Sequence, residues 1–369
     1  PKFWLIVGLR VLMGIFIFTI PLCAQLLYAI KIVMSDEPQI QEIASSINLA
    51  LTEFLTSFNL LDLFLRRHRL QQLIDLLNCD EFTCFNNTQR NILERGVKFS
   101  RRAFLILAVG TTADVLMHML ILPALNHFET LPVKMELIFF DANDPAYFNY
   151  VCAYQILYKP TLITTFVALY SMNWSFMSCT SSQLDVLINK LENMNELVKI
   201  TTVENSCDEN EACEVIYKNC LLHHSAIIKF SRTFESTFNG QLSMTLIMSS
   251  CVIGTTALQI ISIESPRENV TEVIWVLGFL IFVIGSLFID CYLSQDITDK
   301  SVHIPTLIYS SPWLNLPTKM KRNLIIFIAK TQQPIVLKGS QLIPISIDTF
   351  TTIMNWSYKG FAVMNQMKK

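Results

Sequence analysis

A chain of 369 residues is long enough for two soluble domains, but 52% of it is hydrophobic and only 16% charged, against about 25% charged in ordinary globular proteins. That bias excludes intrinsic disorder, which needs the opposite, and a net charge of −2 leaves no field to hold nucleic acid. With 25 phenylalanines, only 10 glycines and a mean hydropathy of +0.42, the composition excludes collagenous and low-complexity chains and points to a helical integral membrane protein.

A helix needs about 20 mostly apolar residues to cross a bilayer. The first such run, 11–30, carries no charge, and no signal-peptide cleavage pattern follows it. The chain opens on Pro1 rather than Met, so a few leading residues are expected to precede it. The second run, 43–61, is interrupted by Glu53, and the third, 103–125, contains Asp114. The fourth, 146–177, is broken by Lys159 and Pro160. Beyond it Leu184, Leu187, Leu191, Met194 and Val198 follow the alternating spacing of a coiled-coil seam. The polar stretch 195–212 predicts a mobile loop. The fifth run, 240–263, is approached by a stripe of Ile227, Phe230, Phe234, Phe238 and Leu242. A helix over 214–263 is about 75 Å long, and only about 30 Å of that fits in hydrocarbon. Its remainder must project into water, where the apolar stripe needs a partner. The sixth run is 273–289, followed by an amphipathic helix over 317–332 with proline at its start. A weaker seventh, 339–364, is rich in Ser, Thr and Asn. The expected fold is therefore all-α, with seven transmembrane spans and long helices that continue into a cytosolic anchor bundle.

Lys and Arg placement orients the spans. With a cytosolic amino terminus, most of the 28 basic residues face inward. Arg66, Arg67, Arg69, Arg90, Arg95, Lys98, Arg101 and Arg102 crowd one inward connection, while the outward loops are acidic or neutral. Lys368 and Lys369 then lie outside, a mild exception. This topology is the inverse of a G-protein-coupled receptor. The outward loops also lack cysteine, so they cannot form the disulfide usual in such receptors. Cys79, Cys84, Cys207 and Cys213 fall in inward loops, where thiols stay reduced.

No sequence pattern here is catalytic: there is no nucleophile elbow, phosphate-binding glycine loop or HExxH, so an enzyme is not expected, nor any cofactor. His223 and His224 lie beside Cys220, but adjacent residues on a helix point apart and chelate poorly, so no metal site is expected. Of the sequons at Asn86, Asn173, Asn269 and Asn355, only Asn269 falls in an outward loop open to glycosylation. The last span is too polar to face lipid, and must face protein or a water-filled cavity. It is either a pore lining or a hydrogen-bonded helix at the bundle centre. Glu53, Asp114 and Lys159 lie at mid-membrane depth, where an unpaired charge is costly; Lys159 either pairs with Asp114 or Glu53 or snorkels to water.

Four motifs carry a resemblance. IYSSPW at 308–313, QPIVLKG at 333–339, IDTF at 347–350 and SYKGFAV at 357–363 resemble the closing segments of the insect odorant receptors. Gly360 departs from the aromatic usual there, which alters local helix packing.

The resemblance implies an odorant-gated, non-selective cation channel subunit in the plasma membrane of an olfactory neuron. Four subunits, including a shared co-receptor, would surround one pore as a heterotetramer, in contact with lipid, permeating cations and a small volatile odorant, and with no nucleic acid. The family gate maps onto Val363, an apolar ring able to close by dewetting, and Gln366 one turn outward. The odorant site maps onto Leu51 and Leu55; Thr111, Val115 and His118; Cys152, Gln155 and Tyr158; and Trp275, Phe279 and Phe282. The chain then divides into spans one to four with the outer ligand pocket (1–177), cytosolic helical extensions and loop (178–239), spans five and six (240–293), cytosolic anchor helices (294–338) and the pore-lining last span (339–369). The alternatives are a gustatory receptor channel, whose threonine–tyrosine ending is absent, a G-protein-coupled receptor, and a transporter, for which internal repeats are missing.

Overall fold

The computed structural model describes residues 12–35, 39–82, 86–125, 131–137, 142, 144–263, 270–311, 313, 316–340 and 342–367. A π-helical turn, Ile15–Thr19, leads into α1 (Ile20–Val33), followed by α2 (Ile40–Leu65), α3 (Arg67–Leu77) and α4 (Asn87–Leu116). Then come α5 (Phe148–Glu192), α6 (Met194–Asn205), α7 (Glu209–Ser262), α8 (Val270–Ser310), α9 (Thr318–Thr331) and α10 (Ile347–Met367). The sheet among the described residues is one two-residue antiparallel hairpin, β1 (Lys338–Gly339) against β2 (Ile343–Pro344).

By length and composition four described helices can cross a membrane: Leu12–Val33, Asn87–Ile121, Glu209–Ser262 and Val270–Ser310. The other three proposed spans, in α2, α5 and α10, are more polar. In α2 and α5 the costliest groups, Glu53 and Lys159, turn inward and are buried. In α10 the polar face stays exposed.

The two apolar stripes form the spine of the molecule. Leu184, Leu187, Leu191, Met194 and Val198 run along α5 and α6, and Ile227, Phe230, Phe234, Phe238 and Leu242 along α7. All are buried in a single cluster that α8 and α9 complete with Ile297, Ile304, Leu324 and Phe327. Helical periodicity put these residues on one face, and burial against each other is what lets the helices extend past the bilayer.

Three elements differ from the expectation. Pro160 does not break the fourth span: α5 runs through it for 45 residues. Proline costs about 3 kcal/mol inside an exposed helix, because its missing N–H frees the carbonyl four residues back, here Ile156; packing of the flanking Tyr158 and Leu162, both buried, holds the helix through it. Thr161 Oγ1 and Thr164 Oγ1 add bonds to the Leu157 and Pro160 carbonyls, at 3.1 and 2.7 Å. The polar stretch expected as a loop is helical to Asn205, because Leu197 and Val198 pack into the main cluster. Its chain reversal is compressed into Ser206, which takes a left-handed φ of 49°, and the extended Asp208 ahead of α7. The last helix starts at Ile347 rather than 339, because the hairpin comes first.

Asn86 caps α4, its side chain accepting from Gln89 N–H at 2.8 Å. His223 and His224 point to different partners, as adjacent helical residues must. His223 bonds Gln183 at 2.9 Å and Lys190 at 3.2 Å, whereas His224 meets Phe327 edge-on at 5.5 Å. Burial, reinforced by the Lys190 ammonium, pushes the His223 imidazole down to about 3. Burial with Lys330 nearby pushes His224 down to about 4. Both rings are neutral at physiological pH.

α2 crosses α7 at Gly240. Asp62 of α2 is held by Arg66 (Nε to Oδ1, 2.8 Å), and Arg66 and Arg69 both donate to the Ser236 carbonyl, at 2.8 and 2.9 Å. A Cβ on Gly240 would stand 2.5 Å from Asp62 Oδ2, whereas one on Gly254 meets nothing within 4 Å. Overpacking costs about 1–3 kcal/mol. Gly240→Val is therefore expected to lower surface expression several-fold and Gly254→Val to leave it near normal, measured by surface biotinylation. Equal expression of the two would show that this crossing tolerates a side chain.

Candidate ligand cavity

Five helices enclose a cavity of ≈ 110 Å³ in the half of the bundle away from the arginine-rich connection. From α2, Asn48, Thr52 and Thr56 recur every fourth residue and so share one face toward it, with Leu55 beside them. α4 contributes Thr111 and Asp114, and α5 contributes Lys159, Phe166 and Tyr170. Ser249 and Val252 come from α7, and Trp275, Phe279, Phe282 and Ser286 from α8. Most wall hydroxyls are engaged by their own helix. Thr56 donates to the Thr52 carbonyl (2.9 Å), Thr111 to Leu107 (2.8 Å) and Ser286 to Phe282 (2.9 Å). The chamber is thus an apolar space with a few fixed polar groups, the usual chemistry of a small-molecule site.

One wall is backed by a buried ion pair. Lys159 Nζ lies 3.3 Å from Glu53 Oε1, with side chains 7% and 1% exposed. The same oxygen accepts from Gln25 Nε2 at 2.9 Å and from Tyr158 OH at 3.5 Å. Of the fates open to Lys159, the structure gives pairing with Glu53. Asp114 instead accepts from the Trp275 indole at 3.0 Å.

The segment 131–137 roofs this end. Gln155 clamps it with two bonds to Val133, accepting from the backbone N–H at 3.0 Å and donating to the carbonyl at 2.7 Å. Glu136 N–H donates to the Ala24 carbonyl at 3.1 Å, and the Glu136 carboxylate pairs with Lys31 at 2.8 Å. Leu131 and Met135 pack in a second apolar cluster with Val151 and Tyr158.

The structure brings Leu55, Thr111, Trp275, Phe279 and Phe282 together around the cavity. Leu51 and Val115 are not among its described lining. Cys152 and Tyr158 belong to the cluster under the roof, and Gln155 is the roof clamp. The His118 side chain and all of Asn269 lie outside the described residues. Sequence reasoning passed over Asn48, Thr52, Thr56, Phe166 and Tyr170. The signal was present: three small polar residues at four-residue spacing within an apolar run, and an aromatic pair at the same spacing.

The last helix presents a second feature. Asp348, Thr352, Asn355, Lys359, Val363 and Gln366 recur at helical spacing and are all exposed. The opposite face, with Phe350, Ile353 and Met354, packs against the main cluster. Phe350 meets Phe288 of α8 edge-on at 5.5 Å.

A family profile described as 7tm Odorant receptor matches residues 39–358. Odorant receptor 46a, isoform B, of Drosophila melanogaster is 22% identical over 95% of this chain and 89% of its own length. Odorant receptor 10 of Aedes albopictus is 22% identical over 58% of this chain and 56% of its own. In structure, the chain is similar to the olfactory receptor OR5 of Machilis hrabei, with a TM-score of 0.78 at 15% identity, covering 95% of this chain and 88% of that one. It is also similar to OR5 in complex with eugenol, with a TM-score of 0.76. These neighbours are membrane receptors rather than enzymes.

Proposed function

The chain belongs to the 7tm odorant receptor family, and from that membership we propose that it is the odorant-binding subunit of a ligand-gated cation channel in the plasma membrane of an olfactory neuron. The odorant occupies the five-helix cavity, and α10 lines the pore with Val363 at the constriction and Gln366 one turn outward. The observation that carries this reading is the continuity of α8. Phe282 and Ser286 line the cavity, and two residues on, Phe288 packs against Phe350 of the proposed pore helix. A molecule that shifts α8 at the cavity acts on α10 directly.

Size limits the odorant. An apolar cavity of roughly 150 Å³ holds a benzene ring, so ≈ 110 Å³ takes a smaller molecule unless an aromatic wall turns. Burying about 200 Å² of apolar surface at 25 cal/mol/Å² contributes about 5 kcal/mol before ordering costs. That gross term suits a receptor of modest affinity. In this reading the chain assembles with co-receptor subunits as a heterotetramer. The exposed polar stripe of α10 supports this, since at membrane depth such a face needs water or protein beside it.

Recording odorant-evoked current from cells expressing this chain with and without a co-receptor tests the reading; no current to any small volatile in a surface-expressed assembly would overturn it. Orientation is tested separately. Tags at Asn87 and Asn269 should be labelled on intact cells only at Asn269. Labelling at Asn87 alone would reverse the topology and favour a G-protein-coupled receptor.

A further inference from the structure

Above the inner cavity lies a second chamber of ≈ 390 Å³ with a different character. Its walls carry Tyr28, Gln41, Glu42, Lys134, Gln259 and Glu272. Three residues, Leu49, Val133 and Trp275, line both spaces. The two chambers are therefore separated by the thickness of those side chains. Lys134 and its partner Glu42 stand at the solvent side, with side chains 53% and 29% exposed. The outer chamber is the larger of the two and carries more charged walls.

Which of the three shared walls can move follows from how each is held. Val133 is fixed through its backbone by both Gln155 bonds, under a roof tied again at Ala24 and Lys31. Leu49 is carried by α2, whose neighbouring Asn48 is bonded to Thr255 and, at 3.3 Å, to Gln259 of α7. Trp275 is held through its side chain, by the indole N–H on Asp114 at 3.0 Å and by a stack on Phe279 at 5.7 Å between centroids and 16° between planes. Turning its side chain breaks these two contacts and moves no backbone. Turning it also enlarges the inner cavity, which its present volume requires for anything of benzene size.

We propose that the outer chamber is a transit site for small, weakly polar molecules arriving from external water, and that Trp275, latched by Asp114, is the door between it and the inner cavity. The proposal rests on the reading of the inner cavity as the odorant site. The molecule it suits has one hydrogen-bonding group on a small apolar body. The polar group is met first by the Gln41, Gln259 and Glu272 side chains, and the apolar body then displaces the indole.

The test needs no odorant, so its failure is distinct from failure of the channel reading. A thiol is placed in the inner cavity by Thr111→Cys, with Thr56→Cys as a second position should the first fail to reach the surface. A small, weakly polar thiol reagent, methyl methanethiosulfonate, is applied to intact cells, and labelling of the unsubstituted chain, read by mass spectrometry, is subtracted to remove its native cysteines. Adding Trp275→Ala is expected to speed labelling by about tenfold, the worth of one hydrogen bond to a charged group. Adding Ser45→Trp, which plugs the outer chamber, is expected to slow it by a similar factor; Ser45 lines that chamber and not the inner one. A labelling rate indifferent to both changes would overturn the proposal, and molecules would then reach the cavity from the lipid side.

Discussion

Lys159→Met is expected to abolish surface expression or response, and adding Glu53→Gln is expected to restore much of what was lost. The ammonium and the Glu53 carboxylate are both buried, 3.3 Å apart. Removing one partner of such a pair strands the other and costs about 3–5 kcal/mol, a large share of the 5–15 kcal/mol that holds a typical domain together. Gln25 and Tyr158 still donate to Glu53 Oε1 and soften the loss, but Oε2 is buried without a hydrogen-bond partner, so the charge stays largely uncompensated. Glutamine at position 53 removes the stranded charge and leaves an acceptor for those two donors. Asp114→Asn should not rescue, since that carboxylate holds Trp275 instead. The readouts are surface biotinylation and evoked current for the two single and two double variants. Normal behaviour of Lys159→Met, or equal rescue by Asp114→Asn, would show that the pair does not carry the bundle.

The second large effect is expected in the pore. If α10 lines it, Val363→Ala should raise basal leak by thinning the apolar ring, and Gln366→Arg should weaken cation current. Lys359 sits on the same exposed stripe as both. A fixed positive charge about 5 Å from a permeating cation opposes it by about 1–3 kcal/mol between aqueous and protein-surface screening. Lys359→Gln should therefore increase current through each open channel. All three effects scale with the number of copies of this subunit in the assembly. Single-channel conductance and leak unchanged by all three, in assemblies verified to contain several variant subunits, would place another surface along the pore.

Much of this was legible in the chain, for reasons that differ by element. The stripes on α5 and α7 were plain because each repeats over several turns, and burial then follows from period alone. The unbroken α5 was not, because the cost of Pro160 is offset by tertiary packing of its neighbours, Tyr158 and Leu162, that only the fold supplies. Helix α6 looked like a loop because its polar residues outnumber Leu197 and Val198, yet those two find the core. The hairpin ahead of α10 is two residues per strand, too short to leave a period. For the cavity, resemblance located the aromatic wall on α8, whereas the polar face of α2 needed only its own spacing. Gln155 was identified as important from the wrong vantage for a cavity wall: its side chain is spent on a backbone 22 residues away.

Helix α7 is one unbroken rod of 54 residues, about 80 Å at 1.5 Å per residue. Two arginines grip it at Ser236. On one side of that grip lie Ser243, which holds the hairpin of the last helix through Ser340 at 2.7 Å, and then Ser249 and Val252 at the cavity. On the other side it runs down to Cys213 in the anchor core. Val252 is about 24 Å from the grip and Cys213 about 35 Å, by helical rise. A rigid rod held at that point would pivot as a lever with Ser236 as its fulcrum. A tilt too small to notice beside the bound molecule is magnified about one and a half times at the far end, and passes the hairpin on its way. Under the proposed function, stiffening the anchor would then adjust the sensitivity of the receptor and leave the cavity-lining residues untouched.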